Sequence, residues 1–415
     1  MPTPFAATVF PGVKEFAVIN RESVPGGLLN SGTLLLPTTL QADKYDPDEK
    51  PVFIDDKSLV GSMTDQGNVI AGTATSEFDF NGEVFLDQFP HLLYNIMGDY
   101  TATGAVGSGS TTTTGSANTP GATTLNVTAI SGFSSGQAIQ VGTGTTAEIV
   151  IASAAPSGTT IPITNTPLRF NHAAASTVAG VVAPFVHVFS LYNGTNGQPV
   201  THTMQFYSGI PATFGTRNYA YWCASGVDLD FNVEQLFTHQ TKGMSFLSSI
   251  PAATPTQTLT SVVAQPNWRV QMGLGGTVGT NPINDIQSPS ISLARQLKAE
   301  FTNDGSQSPF VIVRNSFNIT GKFSRVAQDE SAILNMLNNT QQQLQLILDN
   351  GLTGANHLKF QLDMQVAQYS AAKMNTQEAI LYDVDFKGVR NTTNAGASGG
   401  VSPGMITITN AVPTY

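Results

Sequence analysis

The segment Ser76 to Gly98, SEFDFNGEVFLDQFPHLLYNIMG, changes its period halfway along. Phe78, Phe80, Gly82 and Val84 alternate with Glu77, Asp79, Asn81 and Glu83, the period of a strand with one packed and one wet face. Then Phe89, Leu92, Leu93, Ile96 and Met97 recur at helical spacing, with Pro90 suited to a first turn and Gly98 to a stop. The unit is a half-polar strand that runs into a short amphipathic helix.

The unit returns later. Phe317-Asn318-Ile319-Thr320-Gly321-Lys322-Phe323 follows the pattern of Phe78 to Val84 at an offset of 239 residues, and Ala332 to Leu337 stands where Leu92 to Met97 stands. A shorter echo sets Val227-Asp228-Leu229-Asp230-Phe231 beside Tyr382-Asp383-Val384-Asp385-Phe386, at an offset of 155. The order is kept, and the two offsets differ by 84 residues (239 less 155). The chain therefore reads as two tandem copies of one domain, the first carrying an insertion. The expected parts are 1–103 and 184–260 for the first copy, 104–183 for the inserted module and 261–415 for the second copy.

Composition narrows the class. A chain of 415 residues with 40% hydrophobic residues has enough material for several packed domains. Charged residues make up only 11%, and 39 glycines with abundant Thr, Ser and Asn favour a mainly β, turn-rich protein that packs against copies of itself. A net charge of −10 argues against a nucleic-acid grip built on basic patches. The lone Cys223 excludes an internal disulfide framework. Met1-Pro2-Thr3-Pro4 lacks a basic leader and no apolar run reaches ~18 residues, so a soluble product made in the cytoplasm, without a membrane span, is expected.

Along the chain, Phe16 to Ile19 and Leu34 to Leu36 read as short strands behind an N-terminal arm. Asp43 to Lys50 is the most charged segment. Its Asp43, Asp46 and Asp48 hint at a calcium loop, but the central Gly and closing Glu are missing, and a solvated loop or hairpin tip fits better. Thr101 to Pro120 reads as a flexible linker. Short alternating runs from Gly121 to Val178 suggest a small β-sandwich or barrel inserted at the surface. Strands are expected at 185–191, 203–207, 219–233, 290–297, 310–323, 359–369, 379–389 and 405–410, with a second helix from about Asp329 that Gln341 to Asn350 extends or follows.

Motifs for chemistry are sparse. Six scattered histidines lack metal-ligand spacing, and no phosphate loop, nucleophile elbow or dinucleotide fingerprint occurs, so no catalytic residue, metal or cofactor is expected. Asp228 with Asp230, or Asp383 with Asp385, could mimic a glycosidase pair, but two tryptophans in the chain and no sign of a cleft speak against it. These acids instead share one face of half-apolar strands. Helices could cover the apolar face and leave the polar face to line something.

The acidic segment Asp43 to Lys50, SEFDFNGEVFLDQFPHLLYNIMG, GVDLDFNV, its echo YDVDFKGV and the closing ITITNAVPTY together resemble the tail tube proteins of long-tailed bacteriophages, over roughly 5–100 and 184–415. The resemblance implies two tandem tail-tube β-sandwich or barrel domains, each flanked by a helix and joined into rings that stack as a tube. It implies no enzymatic activity, a virion location in the tail, and transient passage of double-stranded DNA. Implied partners are copies of the chain, a tape-measure protein, and terminator or tip proteins. Single-domain members form hexameric rings and tandem members trimeric ones, so a homotrimer is expected. Glu77, Asp79, Asp228, Asp230, Asp383 and Asp385 would face the lumen, and Asp43, Lys44, Tyr45, Asp46, Asp48 and Lys50 would reach the adjacent ring. The alternative, suggested by the Thr/Gly-rich module, is a surface adhesin or capsid-decoration protein.

Overall fold

The computed structural model describes residues 12–56, 68–194, 196–209, 215–250, 254–376 and 379–415; part of the expected N-terminal arm lies outside them. The chain is mainly β. It opens with β1 (Phe16–Glu22), β2 (Leu34–Leu40), β3 (Lys44–Asp56), β4 (Asn68–Glu83) and the helix α1 (Pro90–Met97). Next come β5 (Gly98–Thr113), β6 (Thr124–Asn126), β7 (Ala138–Val141), β8 (Glu148–Ile151), β9 (Thr160–Pro162) and β10 (Thr177–Leu191). Then follow β11 (His202–Tyr207), β12 (Thr216–Asp230), β13 (Thr238–Ser245), β14 (Val270–Leu274), β15 (Pro282–Ile283) and β16 (Ile286–Glu300). The last elements are β17 (Val311–Val326), α2 (Ser331–Leu337), β18 (Gln341–Asp349), β19 (Lys359–Thr376), β20 (Ile380–Gly388) and β21 (Met405–Asn410).

Neighbour relations repeat. The antiparallel order β2·β1·β11·β12·β13·β4·β3 is matched by β15·β14·β18·β19·β20·β17·β16. Gly82 faces His239 as Gly321 faces Phe386, and Leu229 faces His239 as Tyr369 faces Phe386. So β12 corresponds to β19, and β13 to β20. The shorter echo had set Val227–Phe231, on and just beyond β12, beside Tyr382–Phe386 of β20, strands in different places. Five residues of alternating acid and apolar character mark any half-wet strand and cannot tell one from another.

Copies differ after their helices. In the second, three residues separate α2 from β18; in the first, the chain leaves α1 straight into β5 and regains the repeat only at β11. Thr101 to Thr113 is thus not a linker but part of a strand paired with β10, from Gly98↔Leu191 to Thr113↔Thr177. Threonine-rich chain suits a pleated surface once a partner is at hand. β10 also runs across the expected border at residue 183. Between β5 and β10, Leu125, Val127, Ile139, Val141, Val150, Ile161 and Ile163 gather in an apolar cluster of their own. Arg169 ties that part to the main core: its guanidinium lies 4.2 Å from the Tyr100 ring centroid and Nη1 donates to the Tyr100 carbonyl at 2.7 Å.

The main core runs through both copies. Phe78, Phe80, Val84, Val227, Leu229, Phe231, Phe323, Val384 and Phe386 are all buried, as their alternation requires. Arginines pin the copies together: Arg295 Nη1 donates to the Ile96 carbonyl at 2.7 Å, and Arg314 Nη1 to that of Val200 at 2.8 Å. β21 pairs with both β10 and β19 and closes the bridge.

Three further expectations need correction. Asp43 to Lys50 is no loop: Lys44 onward is β3, paired with β4 from Lys44↔Asn81 to Asp56↔Asn68. Charge is tolerated there because β3 has no second neighbour among the described residues, and charged edges resist unwanted pairing. Gln341 to Asp349 is the strand β18 and does not extend α2. And α2 covers the sheet less fully than expected: Ala332 is buried, but Leu334 and Leu337 are exposed.

Candidate functional site

One sheet face belongs to both copies. The strands β3·β4·β13·β12·β16·β17·β20·β19 lie side by side, and the junction between copies is β12·β16, paired from Gly226↔Ala294 to Asp230↔Ser290. Alternation turns the apolar residues of these strands toward the core, so their polar residues share the opposite side.

The register sets those residues in rows. One row reads Lys44, Asn81, Gln240, Asp228, Ser292, Thr320, Lys387, Gln368 from β3 to β19. The next reads Glu83, Thr238, Asp230, Ser290, Lys322, Asp385. None of these side chains is buried. All of them but Lys44, Gln368 and Glu83 floor an open groove of about 1080 Å³ that crosses the copy boundary.

All six anticipated acids turn away from the core. Asp228, Asp230 and Asp385 are exposed, while Glu77, Asp79 and Asp383 are half-buried. Asp228 accepts a 2.5 Å hydrogen bond from Ser292 Oγ across the copy junction, and Asp383 accepts one of 2.6 Å from Ser324 Oγ. Asp79 accepts from the Gly243 N–H at 3.1 Å; partial burial pushes its carboxyl above the ordinary value, and that hydrogen bond pulls the other way. The acidic segment of β3 continues the face: Asp46 stands opposite Asp79, and Asp48 opposite Glu77. Lys44 pairs with Asp46 at 3.2 Å, and Lys50 with Asp48 and Glu77. Tyr45 points the other way, its hydroxyl donating to the Leu40 carbonyl and its ring against Phe78 and Phe206.

The face is less acidic than the six acids alone suggest. Lys322 stands opposite Asp385, and Lys373 opposite Asp383. Most of the remaining positions are neutral: Asn81, which the sequence already sets on the wet face, and Gln240, Ser290, Ser292, Thr320 and Gln368, which it does not single out. Most of them stand beside a buried apolar residue, which marks their side of the strand, but Gln240 lies between buried His239 and Thr241 and carries no such mark.

The histidines do other work. His91 bonds Thr38 Oγ1 at 2.9 Å, His187 bonds Tyr100 and Asn410, and His239 bonds Thr241 Oγ1. Burial lowers His91 to about 3 and His187 and His239 to about 4, and holds His202 well below its ordinary value. Among the described residues no three metal-ligating side chains cluster, and no helix is long and apolar enough to cross a membrane. In comparisons with known proteins, no family model matches the chain and no curated protein is significantly similar.

Proposed function

We propose that this chain is a tail tube protein of a long-tailed bacteriophage, a virion subunit that closes into rings and stacks into a conduit for double-stranded DNA. One observation carries the reading: an eight-strand sheet, continuous through two copies of one domain, with a packed apolar side and a wet side of hydroxyls, amides and scattered charges. Two equivalent units in one chain fit a ring in which three chains supply six units. A sheet closed on itself loses its edges, and a barrel of many strands leaves an aqueous channel. The wall suits passage rather than grip. A polyanion slides past a surface where carboxylates stand beside or opposite most of the lysines, Lys387 between Thr320 and Gln368 excepted, because few sites remain to replace its counterions.

In this reading the long β3–β4 hairpin, with Val52, Phe53, Ile54, Val69 and Ile70 exposed, reaches the adjacent ring. The strand carrying Lys44 to Lys50 is its base, with Asp43 just before it. A tape-measure protein, with terminator and tip proteins, would be the transient and end partners. Negative-stain microscopy of the purified protein tests the proposal. Stacked rings or tubes with six repeats and three chains are expected; discrete particles would favour the adhesin or capsid-decoration reading instead.

A further inference from the structure

The repeat contains a template for contact between copies of the chain. Within the chain, the edge of β12 beyond β11 is taken by β16 in the register Asp228↔Ser292. By the strand equivalences above, Asp228 corresponds to Gln368, since each faces its partner in the Gln240 and Lys387 positions. Ser292 corresponds to Lys44, since they face Thr320 and Asn81. Among the described residues the outer edge of β3, which holds Lys44, pairs with nothing.

The matching edge of β19 is occupied, but by an appendage. β18 runs past the point where β11 stops and pairs Gln341↔Gln368 and Gln342↔Ala367. A register shift between Gln342 and Leu344 separates these two pairs from the rest of β18. A second observation concerns the helices. β16 lies over α1, where Arg295 bonds the Ile96 carbonyl, and α1 is buried from end to end. The corresponding α2 has no such cover: Leu334 is 49% exposed and Leu337 70%.

We infer that Gln341 and Gln342 form a displaceable cap on β19, and that β3 of a second copy replaces them, pairing Lys44 opposite Gln368 and covering α2. A β edge that offers its N–H and C=O groups to any strand is an aggregation hazard, and a short self-paired segment protects it until the correct strand arrives. The exchange breaks two ladder pairs, the Gln368 Nε2 bond to Asn339 and the Gln342 bond to Tyr369, and gains a ladder like the five-residue one between β12 and β16. The pairing and its register rest on the internal repeat; closure of successive junctions into a ring rests on the tube reading.

Paired cysteines test both parts. Antiparallel cross-strand partners bring Cα atoms to about 4.5–5.5 Å, within the span a disulfide bridges. In the full chain, Lys44→Cys with Gln368→Cys is expected to give dimers and then a trimer limit on a non-reducing gel after mild oxidation. The pair Asp48→Cys with Gln368→Cys, displaced by roughly 13 Å along the strand, should cross-link at least tenfold less. Gln341→Cys with Gln368→Cys should lock the cap within one chain, lower the assembled fraction at least tenfold, and release it on reduction. Rings seen by microscopy without the Lys44–Gln368 cross-link would overturn this interface and leave the tube reading intact. Cross-links without closed rings would keep the junction and remove the ring. A protein that stays monomeric and uncross-linked in every variant, with native circular dichroism, would remove both.

Discussion

Gly82 and Gly321 hold the same place in the two copies, and the same crowding explains both. A Cβ on Gly82 would meet Ala42 Cα at 2.8 Å; on Gly321 it would meet the Ser290 carbonyl oxygen at 2.5 Å and the Phe386 ring at 2.4 Å. Backbone cannot step aside as a flexible side chain can. Gly321→Ala should therefore destabilise the fold by about 1–3 kcal/mol, read as a shift in denaturant midpoint, whereas Gly279→Ala, whose nearest neighbour would be 3.9 Å away, should be near neutral. Equal midpoints for the two variants would refute the crowding account. The buried histidines predict a pH dependence. Their native values lie at about 3 to 4 or simply well below the ordinary 6.5. Below pH 6.5 the unfolded chain binds protons that the native core refuses, so stability falls as pH drops toward 4, by up to about 1.4 kcal/mol per pH unit for each histidine. Melting temperature should be flat above pH 7 and decline between pH 6.5 and 5, with a shallower decline in His187→Gln. A flat profile down to pH 5 would contradict the burial of these rings.

Strands and helices that bury one face were legible, because period and burial are the same fact seen twice. Phe78 to Val84 and Phe317 to Phe323 announced β4 and β17, and the change of period after Val84 announced α1. Elements whose partners lie far along the chain were not. Thr101 to Thr113 looks like a linker until β10 is beside it, and Lys44 to Lys50 looks like a loop because this edge strand carries proline and charge on both faces, Pro47 and Glu49 as well as Asp46 and Asp48, where the central strands keep one face apolar. β13 was missed for a similar reason: Thr238 to Ser245 is polar on its wet side and holds His239, Thr241 and Gly243 on its buried side, with few bulky apolars to mark a period. The repeat itself was read from a sound echo and an unsound one, and the strand neighbours decide between them. The topology also predicts that the inserted module is separable from the rest. Thr113 and Thr177 are ladder partners, so an Asn-Gly turn in place of residues 114–176 should keep β5 and β10 in register. The shortened chain should fold and, if the proposed tube forms, assemble like the full chain, with a lower melting temperature because Arg169 no longer covers Tyr100. Soluble, folded protein that never assembles would place the module among the contacts between copies.

If the chain builds the proposed tube, the balance of charge along its wall matters more than any one acid. Each chain would add the same rows, so a change at one position recurs around every ring and along the whole tube. Asp228 and Asp230 sit near the middle of the shared face on the last turn-free stretch of β12, and the residues opposite them are Gln240, Thr238, Ser292 and Ser290, all uncharged. They are the acids least neutralised by a facing lysine, in contrast to Asp385 and Asp383. Replacing both, Asp228→Lys with Asp230→Lys, would shift each chain by four charges toward positive and leave the apolar alternation untouched. Folding should change little, since both side chains are exposed and exposed charges contribute about 1 kcal/mol or less each. Rings and tubes should still form. Transit should not survive so well: lysines facing the lumen would exchange counterions with phosphates, and because the contacts repeat along the tube, small attractions add up. Virions carrying the double variant should eject DNA several-fold more slowly at low salt and recover as salt rises, while Lys242→Ala, elsewhere on the same sheet, should not slow ejection. Ejection at the native rate in low salt from virions with intact tails would show that the charge of this face plays no part in transport, even with the geometry as described.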